Sequence, residues 1–241
     1  MKNLIHLSLS GVEIKMDKHF DHHVHIGQWK DNYFSAEYVF SELKAQGKTG
    51  CVFMSTTSCA PLHFNDEKEI YGLYENVRNE LVDAMQIANL LEFNAKPYYW
   101  VVPLFHLSEI TFENVFMEFP EYCGLKIHPR AHNWNPNDID RAKLLTEVFE
   151  FALIRNLPII LHTGVSPDDS PCLYEKWFKL FPEVKVTLAH CRNLSEVKYL
   201  FDSYPQLYGD TALIPQGNLE YFISNGYEKR LVYGSDFPIG R

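Results

Sequence analysis

Residues 20–26 read FDHHVHI, a stretch rich in β-branched and aromatic side chains, as a strand requires. Side chains alternate faces along a strand, so His23 and His25 point the same way, one rung apart. Two imidazoles on one strand face can grip a single ion. The plainer alternative is a histidine-rich strand without chemistry, because His19 and His22 lie beside them.

Seven more strand-like runs follow: 50–55 (GCVFMS), 98–104 (YYWVVPL), 123–128 (CGLKIH), 158–162 (PIILH), 185–190 (KVTLAH), 206–210 (QLYGD) and 231–236 (LVYGSD). Several are near-continuous apolar runs, the mark of parallel strands buried on both faces. Helical periodicity fills the intervals. Segment 35–47 carries Val39, Phe40, Leu43 and Ala45 on one stripe, 66–93 repeats apolar residues from Ile70 to Ile87, and 138–156 does so from Ala142 to Ala152. Asn193 is a capping residue for a helix over 194–203, and Ser170-Pro171 has the form of another helix start. Eight strands alternating with helices predict an α/β fold of the (β/α)8 TIM-barrel type, a single domain over 1–241 with 1–18 as an N-terminal extension. Five residues follow Asp236, so the expected barrel lacks its eighth helix. The outer faces of its last and first strands are then expected to be covered by segment 1–18 or by a second subunit, the latter being favoured.

Composition narrows the function. Lys and Arg number 22 against 31 Asp and Glu, a formal charge of −9, which leaves no broad basic footprint for nucleic acid. No apolar run is long enough to span a membrane, and the start MKNLIHLSLSG is a poor signal peptide. Five cysteines with no CxxC pair suit a reducing, cytoplasmic setting. The expected partner is a small-molecule substrate, with a homo-oligomer possible.

In a barrel, functional groups sit at the C-terminal ends of strands. Those ends carry His23 and His25, Lys126 and His128, His162, His190, Asp210 and Asp236. Each alone has an ordinary reading as a satisfied histidine or a loop cap; together, at one end of successive strands, they point to a metal. Three imidazoles and a carboxylate suit Zn2+ best, with Mn2+, Fe2+ or Co2+ acceptable. Asp210 reads equally as a group orienting His190 or a water and as a loop cap. Trp134 reads as lining the pocket mouth, and the long loop 56–66 as a lid or an insertion.

These residues resemble the amidohydrolase superfamily, specifically amidohydrolase family 2. Asp21-His22-His23-Val24-His25 matches its DxHxH motif, and Gly124-Leu125-Lys126-Ile127-His128-Pro129 its GxKxHP pattern. His162 in LHTG, His190 in LAHC and Asp236 in YGSDFP match later strands. The resemblance implies His23, His25, His162 and Asp236 as ligands of one divalent metal, His190 facing the substrate, and Asp236 as both ligand and base. It leaves Lys126 two roles: a carboxylated bridge between two metals, or a cationic wall shared with His128 and, by strand parity, Arg130. The wall is favoured, since members of this branch are mostly mononuclear. The expected chemistry is attack by metal-bound hydroxide on an amide, lactone or ester bond of a small anionic substrate. The alternatives are nonoxidative decarboxylation of a small carboxylic acid and a noncatalytic metal-binding protein.

Overall fold

The computed structural model describes residues 16–59, 67–107 and 110–240. The described residues form ten strands: β1 (Phe20–Trp29), β2 (Asn32–Phe34), β3 (Gly50–Ser55), β4 (Asn94–Pro97), β5 (Tyr99–Trp100), β6 (Leu125–Ile127), β7 (Ile159–His162), β8 (Val186–Ala189), β9 (Leu207–Asp210) and β10 (Leu231–Val232). The helices are α1 (Ala36–Ala45), α2 (Glu67–Leu90), α3 (Pro103–Leu107), α4 (Phe112–Glu118), α5 (Pro129–His132), α6 (Ile139–Arg155), α7 (Glu175–Leu180), α8 (Leu194–Ser203) and α9 (Gln216–Ser224). The molecule is an α/β fold. Among the described residues, no helix is long and apolar enough to cross a membrane.

The strands form two sheets, ordered β2-β1-β3-β4 and β10-β9-β8-β7-β6-β5, with every pair parallel except the β1–β2 hairpin. Hydrogen bonds join the sheets at two places. Tyr98, the residue between β4 and β5, donates its backbone N–H to Phe53 O at 2.9 Å. At the other edge, His22 N donates to Tyr233 O (2.8 Å), Asp236 N to His23 O (2.9 Å) and His25 N to Phe237 O (2.8 Å). The segment after β10 thus runs along β1 and carries Asp236 to the two histidines.

Strand alternation divides the core in two. Cys51 and Phe53 of β3, Tyr99 of β5, and Ile159 and Leu161 of β7 pack with the helices in the main cluster. Their neighbours Val52, Met54, Tyr98, Trp100 and Ile160, with Ala189, form a separate small cluster on the opposite face. In a parallel ladder, paired residues point the same way. His25 pairs with Met54, Lys126 with Trp100 and Ile160, and His162 with Ala189, so all three share the face of the small cluster. His162 is the last residue of β7, Lys126 the middle residue of β6, and His25 lies within β1.

Helix ends follow local chemistry. Ser35, Asp138 and Asn193 accept backbone N–H groups at the starts of α1, α6 and α8, and Asn156 closes α6 in the left-handed conformation. The stripe of α1 buries Val39, Phe40 and Leu43, and that of α6 buries Leu145, Val148, Phe149 and Ala152.

Two expectations need correcting. The strand expected over 98–104 lies earlier, over 94–97 and 99–100; Pro103 opens α3, where its missing N–H costs nothing. Ser170 does not cap: its hydroxyl donates to Glu196 Oε2 at 2.5 Å, and a 3-10 turn over 171–174 leads into α7. The loop after β3 begins as a 3-10 turn over 56–59. The rest of that expected lid lies outside the described residues, as does most of the N-terminal extension.

Candidate metal centre

Asp236 is the meeting point. Its Oδ1 lies 3.0 Å from His25 Nε2 and 3.5 Å from His23 Nε2, and ligand atoms from all three residues lie within 4.8 Å of one another. All three side chains are buried. The rings of His23 and His25 are 5.1 Å apart, as two residues on one strand face must be. Gly234 allows this approach, because a Cβ there would sit 2.9 Å from the Cβ of His23.

Hydrogen-bond partners assign the ring protons. His23 Nδ1 is 2.7 Å from Asp210 Oδ2. Burial, reinforced by the Lys126 ammonium, pushes the His23 pKa far down, so the ring is neutral. Its proton sits on Nδ1, and Nε2 faces Asp236 with a lone pair. These two electron-rich atoms face each other across 3.5 Å, with the Lys126 ammonium 3.4 Å from the first and His25 Nε2 3.0 Å from the second, so the pocket already gathers positive charge and donors around them and fits a cation. That is the chemistry of a metal site: nitrogen and oxygen donors, converging, one ring oriented by a carboxylate behind it.

Burial pushes the Asp236 carboxyl up, but the hydrogen bond from His25 and the pull of the surrounding imidazoles win. The group is held well below the usual carboxylate range. Its backbone is left-handed at φ 60°, and that of His190 at φ 71°; such values in non-glycine residues persist where tertiary contacts enforce them.

His162 stands apart from the cluster of His23, His25 and Asp236. Its Nδ1 is 3.1 Å from His190 Nε2, and its ring stacks on His128 at 3.8 Å. His190 is buried, with Nδ1 2.9 Å from the carbonyl of Ala212 and its ring 5.2 Å from that of His23. Burial lowers the pKa of His162, His128 and His190, so this wall is made of neutral rings.

Lys126 is 1% exposed. Its Nζ lies 3.4 Å from His23 Nε2 and 5.7 Å from the Trp100 ring centroid. Burial pushes its pKa down to about 8, against the pull of Asp210 and Asp236. His128 stacks nearly parallel on Trp100, its plane 6° away and its centroid at 5.6 Å, and it caps α5 by accepting from Ala131 N. Arg130 does not join them, contrary to strand parity. The strand ends at Ile127 and Pro129 starts a helix, so the two-residue alternation stops. Arg130 is 67% exposed, 3.7 Å from Asp169, and lines a cavity of about 430 Å3 with Asn133, Trp134, Asn137 and Asp168.

Two residues have more contacts here than the sequence indicated. Asp210 meets the ring of His23 as well as the backbone of His190, at 2.8 Å. Trp100 forms the side wall between His25, Lys126 and His128. An aromatic in an apolar run gives no signal of such a role.

Several solved structures share the fold. An amidohydrolase II superposes with a TM-score of 0.62 at 16% identity, covering 91% of this chain and 87% of its own. 5-Carboxyvanillate decarboxylase from Sphingomonas paucimobilis gives 0.59 at 12% identity, covering 94% and 89%. The 5-carboxyvanillate decarboxylase from Novosphingobium aromaticivorans, complexed with manganese and 4-hydroxy-3-methoxy-5-nitrobenzoic acid, gives 0.56 at 14% identity, covering 82% and 69%. No curated protein sequence matches the chain. The amidohydrolase family model matches residues 117–240, more than half of the sequence, including Lys126, His162, His190 and Asp236. By that match, this chain is an enzyme of the amidohydrolase family.

Proposed function

We propose that the protein is a metal-dependent decarboxylase of a small carboxylic acid, built on an eight-stranded (β/α)8 barrel to which both sheets contribute. His23, His25 and Asp236, completed by His162, hold one divalent ion. Nitrogen and oxygen donors accept Zn2+ or Mn2+. The manganese in the Novosphingobium enzyme favours the second.

The observation that carries this reading is Lys126. It is a buried ammonium, 3.4 Å from a candidate ligand atom and 5.7 Å from the Trp100 ring centroid, and Trp100 in turn stacks on His128. A buried cation calls for an anion, and planar walls call for a planar one. A divalent ion held there would supply Lewis acidity. Lys126 orients the substrate carboxylate, and Trp100 and His128 flank its plane. The bond from carbon to carboxylate then breaks, CO2 leaves, and the electron pair stays on the substrate carbon. A proton from the Lys126 ammonium, replaced from water, completes that carbon. The decarboxylases among the structural relatives support the same reading.

Hydrolysis of an amide, lactone or ester is a second reading. It is favoured by Asp236, a carboxylate held ionised beside His23 and His25, where it can take a proton from attacking water. Incubating metal-loaded protein with small aromatic and unsaturated carboxylic acids, and separately with lactones, esters and amides, distinguishes the two. The decarboxylase reading expects CO2 from an acid of the first panel. Acid production from the second panel with no CO2 from the first would overturn it.

A further inference from the structure

We propose that Asp210 is a positioning residue that sets the proton arrangement of the candidate metal centre and fixes the backbone on which His190 is mounted. This rests on the metal-dependent reading above. Asp210 is fully buried at the end of β9 and accepts from three donors. Its Oδ2 takes the ring N–H of His23 at 2.7 Å. Its Oδ1 takes the backbone N–H of His190 at 2.8 Å and of Ala212 at 3.1 Å.

The two oxygens do different jobs. With a carboxylate at Nδ1, the His23 proton is held there and Nε2 is left free to ligate. The other oxygen grips the amide of a residue whose φ is 71°, a conformation that non-glycine residues adopt under tertiary constraint. It also grips the amide of Ala212, whose carbonyl receives His190 Nδ1 at 2.9 Å. One side chain thus aims the ring on β1, the backbone after β8 and the carbonyl that orients the His190 ring.

An asparagine is nearly isosteric but has one acceptor oxygen where three donors converge. If that oxygen stays with the two backbone N–H groups, the amide NH2 faces His23 and forces Nδ1 to become the acceptor. The proton moves to Nε2, the atom required for the metal. A residue that merely filled space would leave this proton where it is.

The test is nitrogen NMR of the histidine rings in metal-free protein at neutral pH, with titration of Mn2+ into wild type and Asp210→Asn. The wild-type spectrum should show His23 protonated at Nδ1. Asp210→Asn should show it protonated at Nε2, with Mn2+ affinity lowered about 10- to 100-fold. A wild-type His23 protonated at Nε2, or a folded variant that binds Mn2+ within about twofold of wild type, would overturn the proposal. The wild-type spectrum decides even where the variant does not fold. Failure of wild type to bind any Mn2+ or Zn2+ would instead remove the metal reading, while the His23 proton still reports on the clamp.

Discussion

His162 Nδ1 lies 3.1 Å from His190 Nε2, and this contact has a direction. A carbonyl only accepts, so the 2.9 Å contact between His190 Nδ1 and Ala212 O puts the His190 proton on Nδ1. His190 Nε2 is then the acceptor and His162 Nδ1 the donor, which leaves His162 Nε2 with a lone pair. The residue matched to the substrate role thereby orients the residue matched to the ligand role.

His190→Asn follows from that relationship. The variant should keep close to its full metal content, because His23, His25 and Asp236 form their cluster without it. Turnover should fall by about 10- to 100-fold, the usual cost of losing a group that orients a ligand residue. Metal analysis beside steady-state kinetics checks both, and loss of the metal would mean that His190 is itself a ligand.

Lys126→Met keeps the length and apolar stem of the side chain while removing its charge. For a carboxylate substrate, KM should rise by about tenfold or more and kcat should fall, with inhibition by small carboxylate anions weakened in parallel. Unchanged inhibition by those anions would rule out the carboxylate contact.

Asp236→Asn should lower metal affinity and turnover together. It removes the anionic oxygen on which His23 and His25 converge, at 3.5 Å and 3.0 Å. A variant that keeps full metal content and loses activity alone would confine Asp236 to proton transfer.

Acid sensitivity is expected from His132. The residue is 1% exposed, its Nε2 donates to the carbonyl of Ser58 at 2.8 Å, and burial pushes its pKa from 6.5 down to about 4. The unfolded chain therefore takes up the proton first as pH falls. The stability tied to the neutral ring is complete above pH 6.5 and is lost progressively between there and about pH 4. Within that window this group contributes a slope of at most about 1.4 kcal/mol per pH unit. His132→Gln retains a donor for Ser58 without a titrating ring, so urea unfolding across this range should show a shallower loss for the variant. Identical slopes would remove His132 from the account.

The shared strand faces were legible because a two-residue alternation is local. From FDHHVHI, CGLKIH, PIILH and KVTLAH one reads which side chains share a face without knowing how strands pair. The same logic failed at Arg130, where Pro129 turns the chain into a helix before the next alternation can occur. The capping rule failed at Ser170, whose hydroxyl donates to Glu196 instead of closing the helix start beside it. The contact between Asp210 and His23 joins residues 187 positions apart, and no spacing rule reaches that far. The left-handed backbones of His190 and Asp236 are likewise tertiary, because nothing in either residue type requires them.

The central claim is that His23, His25 and Asp236 form one metal centre. Elemental analysis of protein purified without chelator, for wild type and His25→Ala side by side, tests it most directly. The account predicts about one equivalent of a divalent transition metal per wild-type chain and a large loss in the folded variant. A wild-type chain without metal even after incubation with Mn2+ or Zn2+, or a variant that retains the full equivalent, would contradict it.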